Sequence, residues 1–157
     1  MHPSEMFSQA AKRNYRVIRM QTEGLTNEDS LIQPPVQGNC LNWVLGHIIY
    51  HRGLILKLLG DSPNWPEEQL LRYQRESEPV LGSSEDVLTL TQLLSLLDQS
   101  QEQITAALQN TSTEALETVV NKRTIEEQLA GLQWHETYHM GQLELLRQLT
   151  GKNDKVI

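Results

Sequence analysis

One cysteine, Cys40, is the only thiol in the chain, so an internal disulfide framework is excluded and stability must come from a packed core. Aromatic residues make up 5% of the sequence, with a single phenylalanine, which leaves Leu, Ile and Val to build that core. Basic residues are outnumbered, 13 Lys and Arg against 20 Asp and Glu, giving a formal net charge of −7. A chain of that sign repels phosphate backbones, so no nucleic-acid partner is expected. No window is apolar enough to span a bilayer, and Met1 to Asn14 lacks the apolar stretch of a secretory signal. The expected compartment is therefore the reducing cytoplasm, with no membrane partner. No run of alternating apolar residues marks a strand, which leaves helices.

Helical periodicity is abundant. The first helix is expected from about Ser4 to Glu23, with Phe7, Ala10, Ala11, Val17 and Ile18 inward and Asn14 among them as a hydrogen-bonded core amide. The second is read from about Cys40 to Leu59, with Asn39 as its N-cap and Gly60 as its stop. The third is expected to start at Ser83 or Ser84 and to carry Val87, Leu90, Leu94, Leu97, Gln101, Ile104 and Leu108 at three-four spacing. The last opens on a Thr124/Glu127 capping box and closes at Gly151, with a seam through Ile125, Gln128, Leu132, His135, His139, Gln142, Leu146 and Leu149. The fold class is all-α, a four-helix bundle in one domain over residues 1–151, with 152–157 as a flexible tail. Three linkers join the helices. Thr26 to Gln37 is a short helical turn and loop, and Asp61 to Gly82, with three prolines, is a long crossover connection. In the third, Thr111 to Arg123, Leu116 and Val119 are expected to cover one end of the bundle.

The chemistry concentrates in His135-Glu136-Thr137-Tyr138-His139, where two imidazoles lie one helical turn apart. On the expected seam both point inward, and burying two unsatisfied rings costs roughly 2–7 kcal/mol each, so they need partners. A second pair, His47 and His51, lies in the second helix. At about 100° per residue, His51 falls roughly 60° from the centre of the apolar stripe and His47 roughly 100° from it. Periodicity thus slightly favours His51 as a third metal ligand, with His47 a neighbour or a second one. The same five residues match H-E-x-x-H, the zinc-protease pattern in which the glutamate is a general base. Gln142 replaces the glycine of the longer metzincin pattern and no third histidine follows, which argues against a protease. Glu136 stays a candidate general base.

The run Trp43-Val44-Leu45-Gly46-His47-Ile48, followed by His135-Glu136-Thr137-Tyr138-His139-Met140-Gly141-Gln142-Leu143, resembles the paired signature of the DinB-like (DinB/YfiT) four-helix-bundle proteins over almost the whole chain. The resemblance implies one divalent metal ion held by His47, His135 and His139, with His51 displaced to a supporting or substrate-facing role. Trp43, Tyr50, Tyr138 and Gln142 are candidates for the same pocket. Met140 stands where a basic residue is common in that family, which removes one anchor for an anionic substrate. Zinc is the expected metal, and nickel, iron and copper suit the same donors. Three imidazoles on a tetrahedral ion leave a position open, the arrangement of a catalytic site. The expected function is transfer of a low-molecular-weight thiol to a small electrophilic substrate. The alternatives are hydrolysis of a small molecule, or a non-catalytic dimeric binding module whose metal site is vestigial or structural. Cys40 precedes His47 by about 10 Å of helix, so the thiol would be a cosubstrate. Family likeness also implies a homodimer, and ligand chemistry implies metal release as pH falls through about 6.

Overall fold

The computed structural model describes residues 2–155. Four long helices form the bundle: α1 (Pro3–Thr22), α3 (Leu41–Leu58), α4 (Leu90–Gln109) and α6 (Ile125–Gln148). Two short ones, α2 (Asn27–Ser30) and α5 (Thr113–Glu117), sit in the first and third linkers. The long connection contains a 3-10 segment, Glu67–Tyr73. Helices α1 and α3 each pack against both α4 and α6, so they face each other diagonally across the bundle. None of these helices is long and apolar enough to cross a membrane.

The ends are set as their residues dictate. Thr124 and Glu127 close a reciprocal capping box at the start of α6, and Gly60 and Gly151 take the left-handed conformation just beyond α3 and α6. Asn14 is buried and donates to Thr137 Oγ1 at 3.1 Å, a satisfied core amide. Helix α4 begins at Leu90 behind a Thr89/Gln92 capping box, later than the expected start at Ser83 or Ser84. The preceding segment is pinned across α3: Leu88 donates its N–H to Tyr73 Oη at 2.8 Å, and its carbonyl accepts from Asn42 Nδ2 at 2.8 Å. Those bonds take the backbone groups that a longer helix would use. Helix α3 starts behind Cys40 rather than Asn39, and Cys40 makes no side-chain cap bond.

In the third linker Leu116 is buried, but Val119 faces solvent on a small antiparallel hairpin, Val119–Val120 with Arg123–Thr124. Its turn residues Asn121 and Lys122 both have positive φ, as a two-residue hairpin turn of this hand demands. Residues 152–155, within the segment expected as a tail, make polar contacts with the bundle. Lys152 Nζ reaches Gly24 O at 2.7 Å and Asp29 at 2.9 Å, and Asp154 pairs with Arg147 at 3.0 Å. Arg147 is itself buried and donates to the carbonyls of Gln21 and Glu23 at the C-terminal end of α1. Val156 and Ile157 lie outside the described residues.

At the centre is a charge. Arg52 of α3 is fully buried, and its guanidinium is bound by the other three long helices. Nε and Nη2 donate to the two oxygens of Glu136 on α6 at 3.0 and 2.8 Å. Nη1 donates to Ser100 Oγ and Gln101 Oε1 on α4 at 3.2 Å each, and Nη2 to Ala11 O on α1 at 3.5 Å. Five N–H groups meet five acceptors, which is what makes a charge tolerable in an apolar interior.

This pairing moves the seam of α6. Its buried residues are Leu129, Glu136, Leu143, Leu146 and Arg147, so the helix is rotated from the expected seam and the histidines lie on its half-buried flank. Removing one partner leaves an unmatched buried charge, so Glu136→Leu should lower unfolding free energy by about 3–5 kcal/mol. The double variant Arg52→Met/Glu136→Leu should recover most of that loss. Urea unfolding of the single and double variants checks this.

Candidate metal centre

The wall of α3 explains the Trp43-Val44-Leu45-Gly46-His47 run. A methyl group on Gly46 would lie 2.3 Å from the Tyr73 ring, so glycine is what lets the 3-10 segment lie directly on α3. Tyr73 is then fixed at both ends. Its hydroxyl donates to Asn42 Oδ1 at 3.1 Å, and its carbonyl accepts from His47 Nδ1 at 2.6 Å. With Nδ1 carrying the proton, Nε2 of His47 keeps its lone pair. Trp43 stacks on His47 with ring centroids 4.6 Å apart and donates Nε1–H to Ser77 Oγ at 3.0 Å.

Helix α6 supplies the other two rings. His139 Nδ1 donates to Gln142 Oε1 at 2.7 Å, which frees its Nε2, and that atom lies 3.1 Å from His135 Nε2. One nitrogen from each of His47, His135 and His139 falls within 4.8 Å of the others, a group that can hold a metal ion. Nitrogens bound about 2.0–2.1 Å from a tetrahedral ion stand roughly 3.3 Å apart, so the donor set fits a small divalent cation. Burial pushes His47 down to about 4, against the effect of the Tyr73 carbonyl and with help from His139 and His135. Burial likewise lowers His135 and His139, so all three rings are neutral at pH 7, the form in which imidazole can bind a cation.

The other expected site residues are distributed around this group. His51 is outside the converging set but packs behind it, its ring 4.0 Å from His135 and 4.5 Å from His47. Both of its nitrogens, and Nδ1 of His135, are buried with no hydrogen-bond partner among the described residues, and burial drives the His51 pKa down to about 3. Tyr50 packs edge-on against His51 and is not part of the cleft wall. Glu136 does not join the histidines. Both its oxygens are held by Arg52 and it is 2% exposed, so it is a structural anion in place of the general base the H-E-x-x-H match suggested. Cys40 is buried, donates to Val80 O and has its thiol pKa raised by burial, so it supplies no reactive sulfur. Met140 packs against the core.

The histidines form the floor of a cleft of about 480 Å³ between α3, α6 and the 34–39 loop. Trp43, Tyr138, Gln142 and Leu146 line it, and Arg75 reaches it from the segment after Tyr73. Trp134 stacks on Tyr138 but lies outside the cleft, 68% exposed.

The family model described as the DinB superfamily matches residues 10–143. The chain belongs to the DinB superfamily. Among solved structures, this DinB-superfamily chain is similar to a conserved protein from Enterococcus faecalis. The two share 18% identity with a TM-score of 0.76, over 97% of this chain and 99% of that one. That likeness shows the fold. Among curated proteins, none matches.

Gly46 links packing to the site, because displacing Tyr73 also moves the carbonyl that orients His47. Gly46→Ala should cost about 1–3 kcal/mol of stability as an overpacked core contact. It should also weaken metal binding about 10–100-fold through the lost support of His47. Thermal unfolding of the metal-free protein, beside a zinc titration, separates the two effects.

Proposed function

We propose that this chain is a divalent-metal-dependent enzyme that transfers a low-molecular-weight thiol to a small electrophile, with His47, His135 and His139 as the metal ligands. The observation that carries this reading is the convergence of three neutral imidazoles, two with their outer N–H already committed to an oxygen, at the floor of a cleft of small-molecule size. Zinc is the metal we favour, and nickel, iron and copper suit the same donors. A cation held there supplies Lewis acidity that makes an incoming thiol or water more acidic.

The chain's own residues favour the thiol. Among the described residues no Asp or Glu lines the cleft, and Glu136 is bound to Arg52, so these residues offer no carboxylate to serve as the general base of a hydrolase. A thiol needs less help, since its ordinary pKa is near 8.5. Gln142 holds His139 in one orientation, and Tyr73 does the same for His47, so the donors need little reorganisation. Trp43, Val44 and Leu146 give one side of the cleft an apolar surface that limits water around a reacting sulfur.

Equilibrium dialysis of untagged protein against zinc should give one ion per chain, with affinity falling at least about 100-fold in His47→Ala, His135→Ala and His139→Ala. The lowered histidine pKa values weaken competition from protons. Release on acidification is therefore expected below pH 6, with its midpoint between about 6 and 4. Unchanged zinc uptake in all three variants would contradict the proposal.

A further inference from the structure

The cleft has one formal charge among the residues that line it. Arg75 supplies it, and among the described residues that line the cleft there is no Asp or Glu, although the chain carries 20 Asp and Glu against 13 Lys and Arg. The segment that presents Arg75 is fastened on both sides. Tyr73 is seated on Gly46, Ser77 accepts from Trp43 Nε1, and Arg72 donates to the carbonyls of Glu78 and Pro79 and pairs with Asp86 at 3.0 Å. Between Arg75 and Ser77 the chain turns through Glu76, a non-glycine residue at φ 65°. Such a conformation is uncommon and persists where its surroundings enforce it.

The guanidinium itself is available. Its side chain is 86% exposed, and its ion pair is with the adjacent Glu76 at 3.7 Å, a contact between two solvated groups that contributes little. Besides Arg75 the cleft lining includes the apolar Pro34, Val36, Leu145 and Leu146 and the neutral amides of Gln37, Asn39 and Gln142.

We propose that the cleft selects a carboxylate-bearing ligand with an apolar body, its carboxylate paired with the Arg75 guanidinium and its reactive end at His47, His135 and His139. This rests on the metal-dependent reading above and adds the class of molecule that the site takes. A planar guanidinium fork matches a carboxylate in two parallel hydrogen bonds, and a single cation suits a monoanion better than a phosphate dianion.

The test uses full-length protein loaded with cobalt, whose absorption reports sulfur binding. Three benzyl thiols are titrated, carrying a carboxylate, a carboxamide or an aminomethyl group in the para position; the rigid ring keeps that group away from the metal. The carboxylate should bind about tenfold tighter than the carboxamide, with the amine weakest. Arg75→Gln should bring carboxylate and carboxamide level, and Arg75→Glu should reverse the order in favour of the amine. Equal affinities in the wild-type protein, or a carboxylate preference that survives Arg75→Gln, would overturn the Arg75 proposal and leave the metal site standing. Failure to take up cobalt at all would overturn both.

Discussion

Everything in this bundle turns on one guanidinium where a leucine would be ordinary. A buried charge is tolerated only when nearly every hydrogen-bonding direction is met, and Arg52 meets its five N–H groups with acceptors from α1, α4 and α6. Hydrophobic packing alone permits helices to rotate and slide by small amounts at modest cost. A bidentate pair between Arg52 and Glu136 does not, because a rotation of either helix breaks two charge-assisted bonds at once. The pair therefore fixes how α3 and α6 face each other. His51 precedes Arg52 by one residue and His135 precedes Glu136 by one, so the same lock brings the histidines of the two helices together.

The second constraint works across α3. Gly46 removes the side chain that would hold the long connection away, Tyr73 settles into that space, and its carbonyl takes the outer proton of His47. A helix, a connecting segment and an imidazole tautomer are coupled through one missing methyl group. The site is thus prepared from both sides, by an ion pair beneath it and by a carbonyl behind it. The cleft above is left apolar, with Arg75 at its one charged margin.

Much of this was legible in the residues. The capping box at Thr124 and the glycines at 60 and 151 mark helix ends because they satisfy specific backbone groups, and the structure uses them so. The histidine spacing and the glycine beside His47 carried the family resemblance. The seam of α6 was misplaced for a physical reason: its true centre passes through Glu136, which looks like a surface residue until its partner is known. The matching signal lay in α3, where Arg52 continues the three-four series of Leu41, Leu45, Ile48, Ile55 and Leu59. A charge in an apolar series calls for a counter-charge elsewhere in the bundle. Periodicity likewise favours His51 over His47, whereas the nitrogens that converge are those of His47, His135 and His139. The first half of α3 is buried on every side because the 3-10 segment covers its outer face, so angles from the centre of an apolar stripe carry little meaning there. Residues 83–88 have helical spacing but lend their backbone to Tyr73 and Asn42, a long-range use that spacing cannot report.

The central claim is that α3 and α6 aim three imidazole nitrogens at one cation. X-ray absorption at the zinc edge, on protein carrying one ion per chain, tests it most directly. The account predicts three imidazole nitrogens at about 2.0–2.1 Å plus one exchangeable light ligand, with the imidazole signal reduced in His47→Ala. A shell of oxygens alone, or a spectrum unchanged by loss of His47, would contradict it.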